Sequence, residues 1–270
     1  MKLSALTWNV WDTPYFGSRD NEERMKRLVD YLYRTEPHVV LLQESFNPER
    51  RKKFLQTLGS YDSGYKAPAN VHEERKLLGF IPFFDATGGL VTLSRYPIRS
   101  SVFYPFETHG KSWDERFCGK GYTQTFVNTP EGQILVVNTH LSNRPTDTQT
   151  RLAQLEELLD DLENVDVPVV LGGDFNTTRF DERGEQTEEF TRLQHAGFAD
   201  SLVGREEDFE TFSHRNQYSH YPEHGRIDFV FYREGKHVKI KPQTSNMVGV
   251  NNPISDHYGY LAELEISRDA

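Results

Sequence analysis

The sequence predicts a four-layer α/β/β/α sandwich, an α/β fold with two face-to-face mixed sheets, and three observations predict it. Two strand-helix-strand units recur at matching spacing: Glu44 stands 35 positions after Asn9, and Asp174 stands 34 after His140. In each unit an apolar run ends abruptly in polar residues. Each crossover is also short, so its two strands lie parallel and near each other with the helix packed on one face. An internal pseudo-two-fold repeat of this kind brings both sets of strand ends to one cleft. For that reason residues 1–270 are read as a single domain, although the length alone would also allow two small ones.

Along the chain, Leu3 to Val10 alternates as a strand and leaves Asn9 at its end. From Asp20 onward Met25, Leu28, Val29, Leu32 and Tyr33 fall at helical spacing, with acidic residues at the start and Pro37 beyond the end. Val39-Val40-Leu41-Leu42 is an unbroken apolar run, the pattern of a strand buried on both faces, and it stops at Gln43-Glu44. Gly88 to Arg95, Arg99 to Phe106 and Tyr122 to Asn128 read as strands that extend the first sheet and lead into the second. The second unit begins with Ile134 to His140. Its helix, Asp147 to Glu163, carries Leu152, Leu155, Leu158, Leu159 and Leu162 on one stripe. Its second strand is Val169-Val170-Leu171, which runs into Gly172-Gly173-Asp174-Phe175-Asn176. Beyond lie a short helix over Glu188 to His195, a loop over Ser213 to Gly225, a strand over Arg226 to Phe231 with Asp228 near its start, and a last strand over Tyr258 to Ile266.

A formal net charge of −10 disfavours a broad electrostatic grip on nucleic acid, because affinity for a phosphate backbone comes largely from Lys and Arg. A bound divalent cation can reverse that sign locally, so a nucleic-acid substrate stays open. The lone Cys118 excludes an internal disulfide and a Cys-rich zinc site. No apolar leader follows Met1 and no run of 18 apolar residues occurs, so the expectation is a cytoplasmic protein with no transmembrane segment.

Asp174 and Asn176 are two positions apart, so an extended chain would present both on one side. The preceding glycines would let a backbone or a ligand approach closely. A carboxylate and a carboxamide together suit a divalent cation with phosphate. Gly, Asp and Asn are equally the residues of an ordinary turn after a strand, and both readings stand at this level.

Taken together and in order, Thr7-Trp8-Asn9, Leu42-Gln43-Glu44, Thr139-His140-Leu141, Gly173-Asp174-Phe175-Asn176, Arg226-Ile227-Asp228 and Ser255-Asp256-His257 resemble the endonuclease/exonuclease/phosphatase superfamily. The resemblance spans almost the full chain and implies the same four-layer sandwich. His109-Gly110-Lys111-Ser112-Trp113, Cys118-Gly119-Lys120-Gly121 and the Arg144, Arg151, Gln154 pattern are similar to the neutral sphingomyelinase branch.

Hydrolysing a phosphodiester near neutral pH needs an activated water, charge compensation on the phosphoryl oxygens and help for the leaving oxygen. Glu44 with Asn9 beside it is the expected Mg²⁺ site, completed by Asp256, and Mn²⁺ would accept the same oxygen ligands. His257 is the expected general base and Asp228 the carboxylate that fixes its tautomer. Asp174 would orient the attacking water, Asn176 would bond a phosphoryl oxygen, and His140 would bind phosphate or serve the leaving group. Lys120 is assigned to phosphate contact. Each also has a plain structural reading: His140 as a hydrogen-bonded strand residue, Asp228 as a partner of Arg226, and Ser255-Asp256-His257 as a turn or helix cap.

Gly79 to Asp85 is apolar for a segment broken by proline, and its Phe83 and Phe84 are candidate lipid contacts, with a satellite core as the alternative. Trp113, Tyr15, Tyr218 and Tyr221 are candidates to stack on a choline ammonium, or simply to pack. The expected activity is therefore a Mg²⁺-dependent phosphodiesterase resembling neutral sphingomyelinase, with a phosphodiester substrate at a membrane surface. Its alternatives are a nuclease or DNA-repair phosphodiesterase of the same superfamily, and a sugar or inositol phosphate phosphatase.

Overall fold

Strand alternation decides the layering. The computed structural model describes residues 1–13, 17–60, 64–67, 74–77, 81–85, 87–111, 115, 118–219, 222 and 224–268; for 60, 74–77 and 81–85 the description covers the backbone alone. In β1 (Lys2–Asp12), Leu6, Trp8 and Val10 point to one side and Leu3 and Ala5 to the other. The first set packs with Met25, Leu28, Val29 and Leu32 of α1 (Asn21–Thr35) and with Phe54 and Leu58 of α2 (Pro48–Ser60). In β2 (Val39–Ser45) the same division puts Val40 and Leu42 under the helices and Val39 and Leu41 between the sheets.

The second half repeats this division. In β8 (Gly132–His140), Leu135 and Val137 face α3 (Thr148–Leu162), whereas Ile134 and Val136 join Leu3, Ala5, Val39 and Leu41 in the inter-sheet core. In β9 (Val169–Asp174), Leu171 faces the helices and Val170 faces the other sheet. Three cores separate four layers. Full burial of each such aliphatic side chain contributes roughly 1.5–3 kcal/mol, so the middle core binds the two halves together.

The remaining strands are β3 (Glu74–Leu77), β4 (Ile81–Asp85), β5 (Val91–Ser94), β6 (Ile98–Pro105), β7 (Gly121–Thr129), β10 (Ala199–Asp200), β11 (Asp228–Arg233), β12 (Val238–Val248) and β13 (Gly259–Arg268). One sheet runs β12-β13-β1-β2-β5 and the other β10-β11-β9-β8-β7-β6. Each has its parallel pair, β1 with β2 and β8 with β9, flanked by antiparallel neighbours. This is the predicted sandwich of two mixed sheets. A short α4 (Glu188–His195) covers the second sheet through Phe190 and Leu193.

Some elements escape the sequence pattern. α2 reads as a charged stretch, since Pro48-Glu49-Arg50-Arg51-Lys52-Lys53 precedes its first apolar residue. β12 is an edge strand whose apolar alternation stops after Val238 and Ile240, with Pro242 at a register shift against β13, so neither a sustained period nor an unbroken ladder marks it. Residues 81–85 form a strand paired antiparallel with β3 instead of the expected loop, with a register shift that leaves Phe83 unmatched. Among the described residues no helix is long and apolar enough to cross a membrane.

The two glycines before Asp174 serve protein contacts. A Cβ on Gly173 would sit 2.0 Å from the carbonyl oxygen of Thr139 in β8, and one on Gly172 would sit 2.6 Å from the Leu41 side chain across the sheets. Gly172 and Gly173 thus let β9 close against β8 and against the opposite sheet. The sequence allowed either a backbone or a ligand here, and the neighbour is protein.

Candidate active site

At the strand ends the parallel registers place His140 opposite Asp174, and Asn9 opposite Gln43. Glu44, one residue further, has φ 56°, a left-handed conformation that a non-glycine residue adopts at a steric cost. That turn carries its carboxylate toward the other half. The Asn9 side chain is the joint: its Nδ2 donates to Glu44 Oε1 at 3.1 Å and to Asp174 Oδ2 at 3.0 Å, and its Oδ1 accepts the Trp11 N–H at 3.0 Å. Asn9 was expected to offer its oxygen to a cation. In this arrangement that oxygen is turned to backbone, and the amide links the two carboxylates.

Asp174 is 1% exposed and stands at the centre. Its Oδ2 lies 3.6 Å from His140 Nε2 and 3.8 Å from His257 Nε2, and its Oδ1 accepts the Asn176 N–H at 3.0 Å. Asn176 adopts φ 50°, so the chain is not extended there and its side chain turns away from that of Asp174 to donate to the Leu141 carbonyl at 3.0 Å. The stretch is therefore a turn, and it sets Asp174 between His140 and His257.

His257 Nδ1 meets Asp228 Oδ2 at 2.8 Å, with both residues buried. Asp228 pairs with this imidazole and not with neighbouring Arg226, whose guanidinium binds Asp200 and Glu206 on the opposite flank of the strand. The dyad is braced from behind. Thr211 Oγ1 accepts the N–H groups of Ile227 and Asp228, its carbonyl accepts that of Tyr258, and the Trp8 indole donates to the His257 carbonyl at 3.0 Å. Asp256 Oδ1 accepts the Ser255 hydroxyl at 3.0 Å.

Lys120 is buried behind His140. Its Nζ donates to the Leu141 carbonyl at 2.6 Å and to His140 Nε2 at 3.1 Å, and pairs with buried Glu115 at 3.2 Å. An ammonium has three donors, and these three contacts face all of them inward. Glu115 carries no sequence signal, lying in the segment between the Trp113 and Gly119-Lys120 motifs. Trp113, Tyr15 and Tyr221, offered as choline contacts, lie outside the described residues, as do the side chains of Phe83 and Phe84. Tyr218 is 4% exposed and packs beneath the guanidinium groups of Arg19 and Arg24, so its ring is engaged within the protein.

Electrostatics mark the cleft as short of positive charge. Burial, followed by the nearby Asp228 carboxylate, pushes Asp174 up to about 6 despite His257 and the Asn9 hydrogen bond. Burial pushes Asp256 up to about 6, with Glu44 adding to the rise. Burial likewise raises Glu44, and Asp174 raises it further. His140 is held well below its ordinary value by burial, Lys120 and His257. Burial alone would lower His257, but Asp228 and Asp174 outweigh it and hold the imidazole well above its ordinary value.

Carboxylates that raise one another, together with a buried Asp228 Oδ1 that lacks a hydrogen-bond partner, fit a hard divalent cation. Glu44 and Asp256 are the carboxylates that would hold it from one side. Asp174, Asp228 and His257 form a second group, with ligand-type atoms within 4.8 Å of one another. Inside that group the 2.8 Å bond between His257 Nδ1 and Asp228 Oδ2 fixes the orientation of the imidazole.

Residues 6–257 match the Endonuclease/Exonuclease/phosphatase family. The protein named Sphingomyelinase C 2 of Leptospira interrogans serogroup Icterohaemorrhagiae serovar Lai is 21% identical over 290 residues, covering 96% of this chain. The chain spans 45% of that relative's length. Among solved structures, D. rerio TDP2 complexed with a single-strand DNA product superposes with a TM-score of 0.71 at 20% identity, covering 98% of this chain and 99% of that one. Sphingomyelinase C from Streptomyces griseocarneus superposes with a TM-score of 0.66 at 17% identity, covering 97% and 99%. At these identities the structural likeness establishes the fold.

Proposed function

We propose a divalent-metal-dependent phosphodiester hydrolase function for this chain, which belongs to the endonuclease/exonuclease/phosphatase family. The observation that carries the reading is the buried His257–Asp228 dyad whose free imidazole edge faces Asp174. His257 takes the proton of an attacking water at Nε2, because Asp228 holds Nδ1. Asp174 fixes that water's direction and is itself fixed by Asn9 and by the Asn176 N–H. His140, held well below its ordinary value by burial, Lys120 and His257, is assigned to the phosphate or to the leaving group. Glu44 and Asp256 would hold the cation, and Mg²⁺ and Mn²⁺ both suit their oxygen ligands. When bound, the cation supplies charge compensation on the phosphoryl oxygens. Its charge also offsets the carboxylates that otherwise keep His257 protonated.

For the substrate, the reading is a phospholipid head-group phosphodiester of the sphingomyelin type. The Leptospira relative's name supports it, as do the Gly119-Lys120-Gly121 and His109-Gly110 motifs. A net charge of −10 weighs against a nuclease. The test has two parts. Mg²⁺-stimulated hydrolysis of bis-p-nitrophenyl phosphate, lost in His257→Ala by a factor of roughly 10²–10⁴, is the expected result, and its absence in the wild type removes the activity. A panel of sphingomyelin, lysophospholipid, nicked DNA and inositol phosphates then reads the substrate, and preference for nicked DNA would replace the lipid reading.

A further inference from the structure

The duplicated plan extends beyond the strand ends to the helices that follow them. Arg24 is the fourth residue of α1 and Arg151 the fourth residue of α3, and both are buried, at 0% and 4% exposure. Each guanidinium turns back to the segment that leaves the preceding strand. Arg24 donates to the carbonyls of Val10 at 2.8 Å and Trp11 at 2.8 Å, directly after Asn9. Arg151 donates to the carbonyl of Arg144 at 2.7 Å and reaches that of Ser142 at 3.5 Å, shortly after His140.

Arg24 does more than its counterpart. Its second Nη1 bond goes to the Ile254 carbonyl at 2.7 Å, in the residue immediately before Ser255-Asp256-His257. Its remaining donors bind the Arg19 carbonyl at 2.7 Å and Asn21 Oδ1 at 2.7 Å, so all five are used. Trp11 and Tyr218, themselves in contact at 6.4 Å, both lie against the group, with ring centroids 5.3 and 5.5 Å from Cζ. Arg151 by contrast has a direct carboxylate partner, Glu189, at 3.0 Å. The hydrogen bonds of Arg24 all go to neutral oxygens, with the Asp12 and Asp256 carboxylates nearby to offset part of the cost of its burial, so what the fork adds is geometry. The required geometry is a planar fork that grips Val10 and Trp11 at one end of the chain and Ile254 near the other.

We propose that Arg24 is a positioning residue that sets the spacing between Asn9 and the Asp256–His257 segment, and that Arg151 is its repeat-related counterpart for the His140 segment. As a statement about catalysis this rests on the phosphodiesterase reading; as a statement about the two chain segments it does not. Neither arginine touches the reacting atoms.

The test compares Arg24→Lys, Arg151→Lys and Leu32→Ala, the last a packing change on α1 away from the clamp. Amide hydrogen exchange, bis-p-nitrophenyl phosphate kinetics and Mn²⁺ binding by electron paramagnetic resonance are measured below each variant's unfolding midpoint. Arg24→Lys is expected to speed exchange at 10–13 and 254–257 at least tenfold while leaving 141–144 protected, with kcat reduced at least tenfold, KM within threefold and Mn²⁺ affinity lowered. Arg151→Lys should reverse the pattern of exchange. Leu32→Ala should lower the midpoint without either local signature. Uniform exchange changes in Arg24→Lys, matching Leu32→Ala, would overturn the proposal. So would unchanged exchange at both segments. Should Arg24→Lys fail to fold, Arg24→Gln, which keeps two of the donors, gives the same exchange comparison. A wild type inactive on the diester would overturn the phosphodiesterase reading alone, since the exchange patterns still decide the clamps.

Discussion

The two halves of the cleft share a plan and differ in burial. In the second half the carboxylate, Asp174, stands in register opposite His140 and is 1% exposed. In the first half the carboxylate, Glu44, lies one residue past Gln43, the register partner of Asn9, at φ 56° and with its side chain 18% exposed. The preceding residues differ correspondingly. Gly173 lets β9 close on β8, whereas Gln43 uses a buried amide to bond Thr7, the Leu41 carbonyl and Asn138 of the opposite sheet. One half thus brings a carboxylate to the solvent side, where a cation can reach it. The other buries a carboxylate where it organises two imidazoles and Asn9. The repeated plan gives both halves the same scaffold, and a one-residue offset gives their two carboxylates different burial.

The sharpest way to break this division is to neutralise each carboxylate in turn. Asp174→Asn is expected to lower kcat on bis-p-nitrophenyl phosphate by about 10³-fold at saturating Mg²⁺, a loss of the size seen when a transition-state contact is removed. Glu44→Gln should instead raise the Mg²⁺ concentration for half-activation by about 100-fold, with kcat largely recovered at high Mg²⁺. Similar kcat losses in both, neither relieved by Mg²⁺, would abolish the distinction.

Stability probes the preceding residues. Gly173→Ala places a methyl group against the Thr139 carbonyl and should cost about 3 kcal/mol in denaturant unfolding. Gln43→Leu leaves the buried Asn138 oxygen without its donor and should cost about 1–3 kcal/mol. Equal, small effects would mean that the backbone can relax at both places.

The raised carboxylates give a pH signature. Asp174 and Asp256 sit at about 6 against an ordinary 3.8, so in the range between these values the folded state binds more protons than the unfolded one. Their contribution to stability is full below the ordinary value and is lost as pH rises through about 6. A divalent cation offsets the loss. Thermal unfolding should therefore show a larger Mg²⁺-induced rise in Tm at pH 7.5 than at pH 5, and an equal rise would count against these two groups sharing the cation's field. The smallest expected effect is Trp8→Phe, which removes the indole donor to the His257 carbonyl and should cost about 1 kcal/mol.

Much of this was legible in the chain. Apolar runs at Val39 to Leu42 and Val169 to Leu171, each ending in polar residues, mark buried parallel strands and the cleft at their ends. The ordered motifs name Asn9, Glu44, His140, Asp174, Asn176, Asp228, Asp256 and His257, and their side chains meet around one site. Arg24 was hidden, because a charged residue in the first turn of an amphipathic helix looks like its solvated face. Thr211 was hidden in a segment without periodicity. The inward turn of Lys120 depends on Glu115, which no motif contains.

By itself the sequence determined most of the strands and helices, which faces they bury and which polar residues stand at strand ends. These follow from local periodicity and from the φ/ψ preferences of neighbouring residues, which act over a few positions. Only the tertiary structure decided that Asn9 bonds Asp174 across 165 positions, that Asp228 chooses His257 over Arg226, and that Arg24 closes on Ile254. Those contacts depend on the separation and register of two packed sheets. Side-chain packing throughout the inter-sheet core sets both to within a fraction of an ångström, and no local pattern records the result.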